Sequence, residues 1–318
     1  MSIKEIDSTR QPLPSLDGKG RGLVCTIGFF DGVHRGHQWL IQQVKAEAHC
    51  RSDRSLLITF DRHPRSVFAP ESAPLLLTSM DEKMSLLRAT GVDDIFILPF
   101  DRAMAALTAR EFMEQVLKKQ LGVSVLVIGY DHHFGRPQGE TFEDYKAYGQ
   151  QLGIDVVLAQ ELPGEHVSSS VVRHALEAGD VRVAAQLLGR PYIWTGRVVH
   201  GHAVGHKLGF PTANLQGLSS DKLLPATGSY AVFIQHQSSV WKGMLNIGSR
   251  PTLDNGSDVS VEAHLFDFNG NLYDEELTLS FISRLRPERR FSSEEELRRQ
   301  LMKDQSSALA ILNSELKA

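Results

Sequence analysis

The chain has 318 residues, of which 42% are hydrophobic and 23% charged, with a formal net charge of −4. This length points to two domains, each able to bury a core, and the acidic balance argues against a nucleic-acid partner, which a basic stripe would serve. No apolar run reaches the length of a membrane span, no apolar signal-peptide core opens the chain, and Cys25 and Cys50 form no CxxC pair, so the expectation is a cytoplasmic enzyme acting on small molecules without a membrane.

Up to about residue 190, short β-rich runs alternate with helical patterns. Gly22–Phe30, Ser55–Phe60, Asp94–Phe100, Val123–Gly129 and Asp155–Leu162 are nearly continuous apolar runs, as expected of strands covered on both faces. Ser79 with Glu82 and Thr108 with Glu111 are capping boxes for two intervening helices, the first stopped by Gly91. The order βαβα predicts a parallel, doubly wound sheet of Rossmann type, which binds ligands beyond the carboxyl ends of its strands.

The first such end carries Gly28-Phe29-Phe30-Asp31-Gly32-Val33-His34-Arg35-Gly36-His37 and opens a helix. A helix N-terminus offers unpaired N–H groups to phosphate, and glycines let the backbone approach it. With both histidines in the entering turn, their spacing places them on one face, where they can donate to a triphosphate. Read without this context, the segment is a strand–turn–helix junction with two surface histidines.

Beyond residue 190 the rhythm changes. Tyr230–His236, Val240–Ile247, Ser260–Phe268 and Glu276–Arg284 read as strands, with a turn signal at Asn269-Gly270 and room for a longer connection. Ser292 and Glu295 box a last helix reaching about Lys303. A small antiparallel barrel or sandwich with terminal helices is expected, and the domains divide as 1–187 and 188–318. His200–Leu215 combines Gly201, Gly205, Lys207 and Gly209 with Pro211, Thr212 and Asn214. Such a loop can wrap phosphates, and Thr and Asn oxygens suit Mg²⁺, although an ordinary glycine-rich turn has the same composition. In the strand around Glu262, Val261, Ala263 and Leu265 form a core face. Glu262, His264, Phe266 and Phe268 share the other, a mixture suited to an aromatic cleft beside a base.

The first motif resembles the nucleotide-binding segment of the bacterial FAD synthetase domain, in the HxGH nucleotidyltransferase superfamily. Gly129-Tyr130-Asp131-His132-His133-Phe134-Gly135 and Ser168-Ser169-Ser170-Val171-Val172-Arg173 resemble that family's later segments. Thr59-Phe60-Asp61-Arg62-His63-Pro64 is similar to its TFDPHP, with Arg62 replacing proline. Leu208-Gly209-Phe210-Pro211-Thr212-Ala213-Asn214 resembles the riboflavin kinase signature, and G-x-YA at Gly228, NIG-x-x-PT from Asn246, E-x-H at Glu262 and R-x-E-x-x-F from Arg286 to Phe291 follow in order. Together they imply a bacterial bifunctional riboflavin kinase/FAD synthetase, with ATP as co-substrate and riboflavin, FMN and FAD as substrates or products. The resemblance implies that Gly28, Phe29, Phe30, Asp31, Gly32, His34, His37, Asp131, Ser169, Ser170 and Arg173 bind nucleotide, with the two histidines catalytic. It implies further that Phe60, His63, Asn246, Arg286 and Phe291 bind flavin, and that Glu262 is the kinase base.

One departure leaves alternatives open. The family's arginine-rich stretch before LGFPTAN is here Ala203-Val204-Gly205-His206, so an adenylyltransferase with an inactive barrel is one alternative and a non-catalytic flavin binder another. Lys83-Met84-Ser85 resembles the KMSKS loop of class I aminoacyl-tRNA synthetases but lacks the second Lys-Ser, and is read as helix surface and core. Oligomeric state is not legible.

Overall fold

A computed structural model of the chain describes residues 3–5, 22–129, 134–135, 139–164, 166–200, 209–251 and 257–316. It divides into two compact units, Met1–Val167 and Ser168–Ala318. The first holds a six-stranded sheet, β1 (Ile3–Glu5), β2 (Leu23–Ile27), β3 (Arg54–Phe60), β4 (Asp94–Leu98), β5 (Val125–Ile128) and β6 (Asp155–Leu158), in the order β1-β4-β3-β2-β5-β6. All its pairings are parallel. The edge strand β1 was missing from the expectation, because three residues carry no periodicity.

Period two in β2 sends successive side chains to opposite layers. Cys25 and Ile27 join a core with Phe112, Met113 and Tyr145. Val24 packs instead with Val44 and Ala48 of α1 (Arg35–Arg51). Leu57 and Ile95 meet α1 and α3 (Met80–Ala89) through Ile41, Met84 and Leu87. Helices α2 (Pro64–Phe68), α4 (Arg102–Ala106), α5 (Ala109–Phe112, continued by π turns Met113–Gln120) and α6 (Phe142–Leu152) complete the unit. Both expected capping boxes form, at Ser79/Glu82 and Thr108/Glu111. The strand order reverses between β2 and β5, so the crevice beyond their carboxyl ends is the switch point at which such sheets bind ligands.

The second unit begins with α7 (Ser169–Ala178) and α8 (Val181–Leu188), which pack on each other and, through α8, on two barrel strands. The compact units therefore part at Val167/Ser168, ahead of the change of rhythm near Leu187–Arg190. Six antiparallel strands close a barrel, β7 (Tyr192–Val199), β8 (Ala213–Gly217), β9 (Gly228–His236), β10 (Ser239–Pro251), β11 (Ser257–Leu265) and β12 (Glu276–Pro287), in the order β10-β11-β8-β7-β12-β9. Two of these, β7 and β8, were not expected. Gly196 sits inside β7 because the Trp194 ring fills its side-chain space, a Cβ there lying 2.6 Å from that ring.

A single helix, α9 (Glu294–Glu315), follows the barrel and continues well past Lys303. Its cap is Ser293, whose Oγ accepts from Glu296 N–H, while the Glu296 carboxylate accepts from Ser292 N–H and Oγ–H. The box thus lies one residue beyond Ser292/Glu295. Ala308 and Leu312 of α9 cover an outer barrel face at Ala231, Met244, Phe266 and Ile282.

Candidate active sites

At the switch point, the loop after β2 is held in a backbone conformation that only burial can secure. Phe30 (φ 54) and Val33 (φ 41) both take left-handed conformations around Gly32 (φ 79). Such residues cost about 1–3 kcal/mol each. Both side chains are buried to 2% exposure, which returns about 1.5–3 kcal/mol each and offsets the strain. Asp31, also buried, accepts from Leu77 N–H, Thr78 N–H and the Thr78 hydroxyl, so the turn is tied to residues 77 and 78. Gly28 is required because the Phe30 ring lies 2.9 Å from where its Cβ would be.

His34 is the N-cap of α1, its Nδ1 accepting from His37 N–H at 3.3 Å. An accepting Nδ1 leaves the neutral ring's hydrogen on Nε2, a donor. The His34 and His37 rings stack at 3.6 Å and 18°. The three-residue spacing thus brings both imidazoles together at the helix end, where orphan N–H groups and the dipole favour an anion. Gly36 fits under them, its Cβ position being 3.2 Å from the His34 ring and the Val167 carbonyl.

The loop after β3 approaches the same place. The His63 ring meets Phe29 edge-on at 4.9 Å, and His63 Nδ1 caps α2 by accepting from Arg65 N–H. Arg62 points to solvent and pairs with its neighbour Asp61 at 2.8 Å. Burial would raise the Asp61 pKa, but the bonds from Arg62 and Phe100 N–H outweigh it and hold the carboxyl below the usual range. Phe60 turns its ring edge-on to Phe100, at 5.2 Å.

Lys83, expected in part as helix surface, is 3% exposed. Its Nζ donates to Phe60 O at 3.0 Å and Phe29 O at 3.3 Å, and lies 4.1 Å from the Phe29 ring centroid. Asp131 falls outside the described residues. Nearby Phe134 exchanges backbone bonds with the Tyr145 hydroxyl, and Gly135 (φ 88) presses so close to Ala109 that a Cβ would sit 2.2 Å from its nitrogen. In the second unit, Ser168 caps α7 by accepting from Val171 N–H, with Ser169, Ser170 and Arg173 in the helix that follows.

The barrel aligns residues from five separate motifs in one cross-strand row. Asn214 on β8 is the Cα partner of Glu262 on β11, and Glu262 of Asn246 on β10. Asn246 pairs with Ser229 on β9, and Ser229 with Arg286 on β12. Directly opposed residues share a sheet face, so the register places acid, amides and guanidinium side by side. Register shifts between Phe281 and Ser283 and between Arg284 and Arg286 re-aim the end of β12. Arg284 caps the carbonyls of Ala178 and Thr227, while Arg286 pairs with Asp304 of α9 at 2.9 Å and faces the Phe291 ring.

A cavity of about 210 Å³ lies along this row, walled by Glu262, Asn246, Arg286, Phe291 and Asp304. A second, of about 450 Å³, is lined by Asn214, Leu265, Asn271 and Tyr273, and Thr212 belongs to both. His264, 7% exposed, donates from Nδ1 to Pro211 O at 2.7 Å, fixing the peptide that leads into Thr212. Phe268 leaves the Glu262 face after β11 ends and lines the larger cavity. Gly209 (φ 84) is exposed. Gly201, Gly205 and Lys207 fall outside the described residues.

Reading the sequence passed over Ser229, Asp304, Lys83 and the anchoring role of His264. Two had visible signals. His264 sits two residues from Glu262 on its own face, and Asp304 interrupts the stripe Leu297, Leu301, Ala308, Leu312 at helical spacing.

An anion-seating helix end at a sheet's switch point, and an acid-and-amide row between two cavities of a barrel, define a transferase of nucleotide phosphates working at two places. Residues 17–171 match the FAD synthetase family model and residues 188–312 the riboflavin kinase model. The chain belongs to the bifunctional riboflavin kinase/FMN adenylyltransferase family. Its relatives of that name include proteins of Pseudomonas fluorescens, 40% identical over 94% of this chain and 96% of that one, and of Escherichia coli (strain K12), 37% identical over 90% and 92%. The Bacillus subtilis (strain 168) relative is 34% identical, covering 90% of this chain and 91% of its own. Among solved structures, a Streptococcus pneumoniae protein titled a macrolide-efflux protein superposes with a TM-score of 0.84 at 31% identity, covering 96% of this chain and 98% of its own. No helix among the described residues is long and apolar enough to cross a membrane.

Proposed function

We propose that the two activities of this flavin-cofactor transferase divide along the chain, with FMN adenylyltransferase in residues 1–187 and riboflavin kinase in residues 188–318. In the kinase half, riboflavin lies against Asn246, Arg286 and Phe291, and ATP fills the larger cavity that meets it at Thr212. Glu262 takes the proton of the ribityl 5′-hydroxyl as that oxygen attacks the γ-phosphorus. The bond from the γ-phosphorus to the β–γ bridging oxygen breaks, and ADP leaves with FMN formed. Gly201, Gly205, Lys207 and Gly209 wrap the phosphates.

Thr212 and Asn214 offer neutral oxygens suited to Mg²⁺, which keeps phosphate and water as its other ligands. Bound there, the ion would neutralise phosphate charge.

In the adenylyltransferase half, a phosphate oxygen of FMN attacks the α-phosphorus of a second ATP and pyrophosphate leaves. Nε2–H of His34 and the His37 ring meet the charge developing on pyrophosphate. The loop from Gly28 to Gly32 seats the triphosphate, with Asp131 orienting the reactants. His63 and Phe60 lie on the flavin side. The need for ATP places the enzyme in the cytoplasm, with no call on nucleic acid or membrane.

The row joining Asn214, Glu262 and Asn246 carries this reading, because it sets a base between two cavities sharing one wall residue. It also favours a working kinase over an inactive barrel, despite the altered glycine loop. Glu262→Gln keeps shape and removes the base. FMN formation from riboflavin is expected to fall by about 10²–10⁴-fold while FAD formation from supplied FMN continues. An undiminished kinase rate would exclude Glu262 as the base.

A further inference from the structure

The adenylyltransferase reading leaves Lys83 unused, yet no lysine is buried at this depth without a reason. At 3% exposure its ammonium has exchanged water for two backbone carbonyls and an aromatic face. Burying an ammonium is costly unless it is paired and hydrogen-bonded, so these contacts are what keep it there. One carbonyl belongs to Phe29, which opens the turn leading to His34 and His37. The other belongs to Phe60, which opens the turn leading to His63. The Phe29 carbonyl also accepts from Thr59 Oγ1 at 3.2 Å, so β3 and α3 hold the same oxygen. Phe29 itself lies between Lys83 and the His63 ring.

We propose that Lys83 is a positioning residue for adenylyl transfer, clamping the loop after β2 to the loop after β3 so that the ligand-facing side chains of both keep one geometry. This rests on the placement of that activity in residues 1–187. Lys83 touches loop backbone and the Phe29 ring, and acts through them. A methionine would fill the same volume and lose the donors and the charge. An arginine keeps the charge with a different fork.

The charge has a limited range of pH. Burial lowers the Lys83 pKa to about 8, with Asp31 and Asp61 pulling the other way. Among the described residues these two carboxylates act on its charge, and the titratable His63 ring touches the Phe29 ring that Lys83 also meets. Because the folded pKa lies below the ordinary lysine value, the ammonium is fully present under it and is lost as pH rises through about 8. A clamp of this kind weakens on the alkaline side.

The test uses the full chain and measures FAD formation from FMN and ATP, and FMN formation from riboflavin, for the parent, Lys83→Met, Lys83→Arg and a His34→Ala/His37→Ala control. The expected result is a drop in kcat for FAD formation of about tenfold or more in Lys83→Met, in line with the ~1.4 kcal/mol that a tenfold change represents. Its melting temperature should stay well above the assay temperature and its FMN formation should be unchanged. Lys83→Arg should recover part of the rate and move the alkaline decline upward. If Lys83→Met keeps the parental kcat while the histidine control is dead, Lys83 has no positioning role and the placement of the activity stands. If Lys83→Met loses activity only together with folding, and arginine restores neither rate nor pH profile, the residue is structural and the proposal fails. If the histidine control still makes FAD, the placement itself is wrong and the clamp falls with it.

Discussion

His34 serves two ends with one ring: Nδ1 caps α1, which leaves the neutral ring's hydrogen on Nε2 as a donor. Asparagine caps helices well without offering an imidazole. His34→Asn should therefore keep the melting temperature close to the parent's and cut FAD formation by about 10²–10³-fold, the usual loss for one charge-stabilising donor. A parental rate in this variant would remove His34 from the chemistry. His264 makes the complementary case in the barrel, since its bond to Pro211 O sets the approach to Thr212. His264→Phe leaves that carbonyl without its donor at a cost of about 1–3 kcal/mol. A raised KM for ATP in the kinase assay is the expected sign, and an unchanged KM would show that Thr212 needs no such anchor. Cys25 is wholly buried, and burial pushes its thiol far above the ordinary range, whereas Cys50 is exposed. Alkylation of the native enzyme followed by mass measurement should give one adduct, on Cys50, and a second only after denaturation. At this scale the meeting of His34 and His37 was legible from their spacing, whereas the role of Glu262 came from the family resemblance. Lys83 was not legible, because an amphipathic helix pattern does not say what lies under a lysine.

Among the elements, helix starts were read well because they rest on local chemistry. The carboxylates of Glu111, Asp144 and Glu296 each accept from a backbone N–H and a hydroxyl at a cap, which lowers their pKa. A depressed carboxyl pKa contributes stability above the unfolded value, and that contribution is lost as pH falls through the folded value. The melting temperature should therefore decline once pH drops below about 4, and Thr141→Ala should flatten part of that decline. A decline of equal size in Thr141→Ala would mean that the cap plays no part. Strand pairs with distant partners were harder to read. The segment holding β8 was taken for a loop, because Pro211 and Gly209 read as a turn, yet a proline just ahead of a strand costs no ladder bond. In β7, burial of Tyr192, Trp194 and Val198 at alternate positions was hidden by Gly196, whose side-chain space is taken by the Trp194 ring and the Gln216 carbonyl. The register from Asn214 to Arg286 spans five strands and follows from barrel closure, which no local pattern encodes.

For the molecule as a whole, two unrelated architectures each match their own transferase family, and the chain order of the motifs made that division visible. The helices α7 and α8 were the exception. They continue the alternating rhythm of the first half but pack with the barrel, since tertiary contact rather than rhythm decides where a helix belongs. Two centres that do separate work should fail separately. The direct measurement is to incubate the parent, Glu262→Gln and His34→Ala/His37→Ala with ATP and Mg²⁺, supplying riboflavin or FMN, and to separate the flavins by chromatography. The parent should convert riboflavin to FMN and FAD. Glu262→Gln should make FAD only from supplied FMN, and the histidine variant should stop at FMN. Loss of both products in either folded variant, or FAD from riboflavin in the histidine variant, would contradict a chain built from two independent transfer sites.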